Sequence, residues 1–144
     1  MFKRIFLDTN VFLDCLLARE PYWRAAAKIL DMAAKNEISA FTSSVSFCNI
    51  AYILNKLEKA RIVENDLQFL LNIVQIVPNT AQMLGQALLE PLPDYEDSVQ
   101  YISALKSECN YLITANKKHF QHCKILTMSA TDFLYSTNAS FLQS

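Results

Sequence analysis

Ile5, Phe6 and Leu7 form an apolar run with no polar residue between them, and this lack of alternation is the most restrictive feature of the chain. Such a strand is buried on both faces, which calls for helices above and below a parallel sheet. The run stops at Asp8, and the Thr9-Asn10 pair that follows is suited to cap a helix carrying Val11, Phe12 and Leu13. In open parallel α/β sheets the reactive crevice lies outside the carboxyl ends of the strands, so a carboxylate at this point faces whatever the protein binds. Aspartate is also common at strand-to-helix turns for purely structural reasons, with Thr9 or Asn10 as the cap. The rest of the chain has to decide between these readings.

Beyond this stretch, short apolar segments and helical patterns alternate. Pro21 suits a helix start, and residues 22 to 36 place Trp23, Ala26, Ala27, Leu30 and Ala34 at helical spacing. A strand is expected over 38–42, followed by a helix over about 44–59 capped by Ser43 or Ser44. That helix is apolar almost all round in its first half, so it is expected to be the most buried one. Asn49 is the anomaly in it, because a buried amide must find partners or face a polar cavity. Lys56 to Arg61 reads as a basic turn. Further helices are expected over 66–72 and 80–89, a strand over 73–77, and a helix over about 94–108 after the loop that begins at Glu90. Strands over 111–114 and 125–127 flank a turn at 116–120, and Ser129-Ala-Thr-Asp132 is a capping box for a terminal helix. The whole is expected to be one α/β domain over 1–144, a central parallel β-sheet flanked by helices, with 136–144 polar enough to fray.

Composition removes several function classes. Gly85 is the only glycine, which excludes a P-loop and a glycine-rich dinucleotide turn. No Gly-x-Ser-x-Gly elbow exists, and the two histidines, His119 and His122, lie together late in the chain, so serine nucleophile chemistry is not indicated. Cys15, Cys48, Cys109 and Cys123 have no Cys-x-x-Cys spacing and read as reduced core thiols rather than a zinc site. A net charge of −1 provides no global positive field, so a nucleic-acid partner would rely on local basic patches and cations. No apolar run approaches the roughly 20 residues needed to cross a bilayer, and the N-terminus lacks the order of a secretory signal. The expectation is a soluble, cytoplasmic protein with no membrane association.

Glu90, Asp94, Glu96 and Asp97 place four carboxylates in eight residues without an intervening Lys or Arg. One explanation is local: Asp94 caps the helix while Glu96 and Asp97 meet the positive end of its dipole. The other is that Asp94 and Asp97, on one helix face, converge with Asp8 on a hard divalent cation, Mg²⁺ or Mn²⁺, suited to metal-assisted hydrolysis at phosphorus. Thr114 and Asn116 close a later strand, and because parallel strands end on one side, both can reach a water, a phosphate or Asp8. Lys117 and Lys118 follow, either as a solvated turn or as a hold on a phosphodiester backbone.

Together these blocks resemble the PIN-domain family of metal-dependent nucleases, which includes the VapC-like toxins of toxin–antitoxin pairs. The resemblance rests on Phe6-Leu-Asp-Thr-Asn-Val-Phe-Leu-Asp14, Thr42-Ser-Ser, Asp94-Tyr-Glu-Asp-Ser98 and Ile113-Thr-Ala-Asn-Lys-Lys-His-Phe120, in order along nearly the whole chain. It implies an endoribonuclease using Mg²⁺ or Mn²⁺, with RNA as substrate, a cognate antitoxin as partner and a homodimer as assembly. Carried over by position, it implies that Asp8 is the first metal ligand, Asp97 the other principal acid and Asp94 a supporting acid. Asn116 would hold a ligand or water, while Thr9 and Asn10 would support the loop. Two positions depart from the pattern. Asn49 stands where many members have glutamate, although one bacterial branch is similar in having asparagine there, and His119 stands where an aspartate before Phe is usual; a neutral imidazole suits Mn²⁺ better than Mg²⁺.

The sequence therefore favours a metal-dependent ribonuclease with Asp8, Asp97, Asp94, Asn49 and Asn116 at its centre. The alternative is a degenerate module of the same fold that binds RNA or a protein without cutting. A phosphatase using Asp8 as nucleophile ranks third, because the position of the second acid in its Asp-x-Asp motif is Asn10, which cannot protonate a leaving group.

Overall fold

In the computed structural model, which describes residues 3–90 and 92–143, with side chains through Thr137, five parallel strands form one sheet. The strands are β1 (Arg4–Leu7), β2 (Ser39–Ser43), β3 (Val74–Val77), β4 (Tyr111–Ile113) and β5 (Leu126–Met128), in the order β3-β2-β1-β4-β5. All four pairings are parallel. The helices are α1 (Thr9–Leu16), α2 (Trp23–Ala34), α3 (Ser44–Leu57), α4 (Val63–Ile73), α5 (Ala81–Ala87), α6 (Tyr95–Lys106) and α7 (Ala130–Gln143), with a 3₁₀ turn at Lys117–Phe120.

The unalternating apolar run does what its pattern demands. Ile5 and Leu7 pack into one core with Phe12, Ile29, Leu30, Ile50, Leu54, Leu70 and Phe133. Phe6, between them, points the other way and joins Phe41, Tyr101, Ala104, Leu112, Phe120 and Ile125. Successive side chains of a strand face opposite sides, so β1 contributes to both layers and occupies the middle of the sheet. Truncation of the fully buried Phe6 to Ala is expected to cost about 3–5 kcal/mol.

Two sequence expectations are corrected by the packing. The most buried helix is α6, in which every residue from Asp97 to Ala104 is buried, whereas α3 buries only Ser46, Ile50 and Leu54. Hydrophobicity all round a helix does not say which faces find a neighbour; α3 packs by one face and leaves Cys48 exposed and Tyr52 66 % exposed. All four thiols are free, and Cys15, Cys109 and Cys123 are half-buried against the cores, but Cys48 is exposed rather than a core group. One half of the expected capping box is present, with Asp132 N donating to Ser129 Oγ at 3.1 Å, while the Asp132 carboxylate pairs with Lys117. The α7 backbone is helical through Gln143, and the side chains on which most of the expected fraying falls lie outside the described residues. No helix among the described residues is long and apolar enough to cross a membrane.

Because β1 pairs with both β2 and β4, the chain's connections diverge to either side of it, and the carboxyl ends of β1 and β4 form a topological switch point. That is where an open α/β sheet leaves a crevice.

Candidate functional site

Asp8 follows the last residue of β1, and it is the cap of α1 itself rather than a residue preceding a Thr9 or Asn10 cap. Its Oδ1 accepts from Thr9 N at 2.9 Å, so the helix starts one residue earlier than its sequence signal suggests. The carboxylate is 5 % exposed and carries two further hydrogen bonds: Gln100 Nε2 donates to Oδ1 at 3.0 Å and Thr114 Oγ1 donates to Oδ2 at 2.8 Å. Burying a carboxylate without such donors would be prohibitive. Thr114 stands just past β4, and its hydroxyl also accepts from Asn116 N at 3.0 Å. One hydroxyl therefore links the two strand ends.

A second acid reaches this place from α6. Asp97 is buried in the helix's first turn, and its Oδ2 lies 2.8 Å from His119 Nδ1. Burial, followed by repulsion from Asp8, pushes its pKa up to about 6, against the opposing pull of His119. Asp8 is thus close enough to make ionisation of Asp97 more costly, although 89 positions separate the two in the sequence.

Asp94 does not join them as a third equal. It caps α6, accepting from Glu96 N at 3.0 Å, and it is exposed, so the local explanation of the acidic loop holds for it. Its charge nonetheless contributes to the rise at Asp97. Glu96 turns inward instead, accepting from Thr9 Oγ1 at 3.2 Å. Since the Thr9 proton goes to Glu96, Ser46 Oγ donates in the 2.6 Å contact with Thr9 Oγ1. This hydroxyl chain joins α1, α3 and α6.

The remaining expected residues sort clearly. Asn49 is half-buried one turn beyond Ser46 on the same side of α3, and its amide makes no hydrogen bond among the described residues. Asn116 is exposed at the head of the 3₁₀ turn, and Asn10 is half-buried on α1. Lys117 is exposed and pairs with Asp132 at 3.3 Å, while Lys118 is exposed without an ion pair.

Sequence reading missed Gln100 and its bond to Ser43, which was expected only as a cap of α3 and is that cap. Gln100 is fully buried; its Nε2 serves Asp8, and its Oε1 accepts from Ser43 Oγ, the group that caps α3 through Ser46 N at 3.0 Å. The available signal was a neutral amide three residues after Asp97, on the same helical face.

Several properties bear on whether a divalent cation fits. Among the described residues no set of three or more His, Cys, Asp and Glu side chains is arranged to surround an ion. The donors present are hard carboxylate oxygens: part of the Asp8 carboxylate and the Asp97 oxygen that does not face His119. Two carboxylates with waters completing the shell suit Mg²⁺ and Mn²⁺. Burial first, and then repulsion from Asp8, disfavour the charged form of Asp97; a cation would offset both, so the hard oxygen donors fit such an ion.

A family model described as PIN domain matches residues 4–118. The chain belongs to the PIN-domain family. Among relatives, this PIN-domain protein is 27 % identical over 136 residues to Ribonuclease VapC1 of Aquifex aeolicus (strain VF5), covering 91 % of this chain and 93 % of that one. Its fold matches the solved structure of VapBC2 from Rickettsia felis bound to a DNA fragment from their promoter, with a TM-score of 0.67, 20 % identity and coverage of 88 % and 97 % of the two chains. It also matches VapBC-1 from nontypeable Haemophilus influenzae, with a TM-score of 0.63, 17 % identity and coverage of 89 % and 98 %. For VapC20 of Mycobacterium tuberculosis, a sarcin–ricin loop cleaving toxin, the TM-score is 0.61, with 17 % identity and coverage of 75 % and 86 %. At these identities the structural matches establish the PIN fold.

Proposed function

We propose that this PIN-domain protein is a metal-dependent endoribonuclease, the toxin of a toxin–antitoxin pair. The observation that supports the reading is the docking of α6 against the end of β1, where Glu96 and Gln100 on either side of Asp97 bond Thr9 and Asp8, in a chain related along nine-tenths of its length to a VapC ribonuclease.

Asp8 and Asp97 would hold Mg²⁺ or Mn²⁺, which when bound supplies Lewis acidity toward a phosphate oxygen. The chain's own contribution is placement. Thr9 N, Gln100 and Thr114 fix Asp8 in one orientation, and His119 steadies Asp97 while partly offsetting its charge. Asn49, one turn beyond Ser46, and Asn116, beyond β4, would offer neutral amides to water or phosphate, and Lys118, exposed and without an ion pair among the described residues, would offer a cation to the RNA backbone. The net reaction adds water across a P–O bond, with oxygen joining phosphorus and a proton going to the departing ribose oxygen.

The partner is an antitoxin protein, as in the VapBC assemblies whose toxin chains share this fold. Exposed Tyr52 and Leu57 on α3 and Phe69 and Leu71 on α4 are apolar surface that a protein partner or a second copy would cover, in a cytoplasmic setting.

The test is cleavage of a structured RNA by wild type, Asp8→Asn and Asp97→Asn. Loss of cleavage in both variants with unchanged circular dichroism supports the assignment; cleavage equal in all three overturns it. A second reading, a module that binds without cutting, is motivated by the amides at Asn49 and Asn116 where further acids would strengthen the site. It predicts no saturable Mn²⁺ binding that Asp97→Asn removes.

A further inference from the structure

Asn116 also borders an open polar cleft of about 600 Å³, and the proposed cleavage chemistry gives no part to Asp14, Arg19 or Tyr22, which line it as well. Asn10, Asp14, Arg19, Tyr22 and Asn116 line it. Its volume is in the range of small-ligand sites. The cleft is not remote from the reaction. Asn116 N donates to Thr114 Oγ1, which donates to Asp8 Oδ2, so a single hydroxyl separates the rim of the cleft from the reactive edge.

Asp14 is the unusual group in it. On the last turn of α1 it is 7 % exposed, and its closest cation, Arg19 Nη1, stands at 3.7 Å, too far for a good hydrogen bond. Burial raises its pKa and Arg19 opposes that rise. Unlike Asp8, whose oxygens take three donors, Asp14 is paired with Arg19 alone among the described residues, and its carboxylate keeps enough accessible surface to accept from a ligand in the cleft. Glu20, the other acid on the rim, is already engaged by Trp23 Nε1 at 2.9 Å and by Arg24 Nη1 at 3.0 and 2.9 Å. Asp14 is therefore the acceptor this cleft offers, with the 55 % exposed ring of Tyr22 on the wall.

Resting on the ribonuclease reading, we infer that this cleft is a nucleobase pocket selective for guanine in RNA, with Asp14 accepting from the base edge and Tyr22 providing a stacking face. A carboxylate matches the paired N1–H and N2–H donors of guanine. Adenine and cytosine each set an acceptor beside their amino group, and uracil flanks its single N–H with two carbonyls; all three oppose a carboxylate. Stacking on an aromatic ring adds affinity that does not depend on the base, so Tyr22 supplies binding and Asp14 supplies choice. Arg19 opposes the rise that burial imposes on Asp14 and provides a positive charge for a neighbouring phosphate.

The experiment maps cleavage positions in a random-sequence RNA by sequencing the new ends, for wild type, Asp14→Asn and Tyr22→Ala. Wild type is expected to show guanine enriched at one fixed position relative to the cut. Asp14→Asn is expected to lose that enrichment while still cutting, and Tyr22→Ala to cut at least several-fold more slowly with the enrichment kept. Placing inosine, which lacks the N2 amino group, at that position should slow wild type about tenfold and leave Asp14→Asn unaffected. Guanine enrichment that survives in Asp14→Asn, or no positional preference in wild type, overturns the pocket.

Should wild type cut no RNA, the ribonuclease reading fails and the pocket is judged separately, by amide chemical-shift titration with guanosine and adenosine monophosphates. Preferential perturbation of Arg19 and Tyr22 by the guanosine nucleotide, absent in Asp14→Asn, supports it. Equal or absent responses, or saturation by an arginine-containing peptide alone, overturn it.

Discussion

His119 Nδ1 lies 2.8 Å from Asp97 Oδ2, so a position where the family pattern has an acid holds instead a group that attracts one. A third carboxylate here would add to the repulsion that Asp97 already feels from Asp8, whereas an imidazole reduces it. In the metal-free protein, the Asp97 carboxyl is expected to titrate near pH 6 by carbon NMR. His119→Ala removes the influence that lowers this value, so the midpoint should move to higher pH; a midpoint unchanged or lowered would show that the imidazole has no hold on the acid.

The same shift makes Asp97 a source of instability. Its folded pKa, about 6, is above its unfolded value of 3.8, so the folded state keeps the proton more tightly between these values. The stability this group contributes is fully present below pH 3.8 and is lost as pH rises to about 6. In chelator, Asp97→Asn should be more stable than wild type at pH 7 by about 1–3 kcal/mol, and the gap should close toward pH 4. Urea unfolding at the two pH values checks this. A gap that does not grow with pH contradicts it.

Cation binding should report the same proton from the other side. An ion held by Asp97 displaces its proton, so Mn²⁺ affinity is expected to rise about tenfold per pH unit below pH 6 and to level off above it. Chelation should abolish RNA cleavage, and Mn²⁺ or Mg²⁺ should restore it. Calorimetry at several pH values gives the slope, and a flat profile would remove Asp97 from the binding set.

Gln100 ties Asp8 to the cap of α3, and its loss has two victims. Gln100→Leu leaves Asp8 Oδ1 with one donor and Ser43 Oγ without its acceptor, which should cost about 1–3 kcal/mol of stability. Cleavage should fall further than stability alone explains, because Asp8 is no longer fixed. Denaturant unfolding and kcat on one RNA substrate separate the two effects; unchanged kcat would make Gln100 purely structural.

What could be read from the sequence was local. The strand-to-acid transition at Leu7–Asp8 is a pattern over a few residues, and so is the acidic start of α6, hence both acids and the parallel sheet were visible. Gln100 was not, because a glutamine on a helix ordinarily faces water and only the approach of Asp8, 92 positions away, makes it an interior donor. The exposure of α3 was missed for a related reason: an apolar surface shows what a helix can bury, not whether a neighbour arrives to bury it. Asp94 was ambiguous because capping and ion binding ask for the same residue type at the same place.

The unequal anchoring of the polar groups at this edge sets how the chain can drift. Replacing Asp8 by an apolar residue strands three donors at once, so scaffold and chemistry fail together. Position 49 holds nothing in place, and exchanges there alter charge without disturbing the frame. Exchanges are therefore expected to be tolerated on α3 at position 49 and to be costly at the end of β1, so charge at this edge can be altered from the former without loss of the architecture.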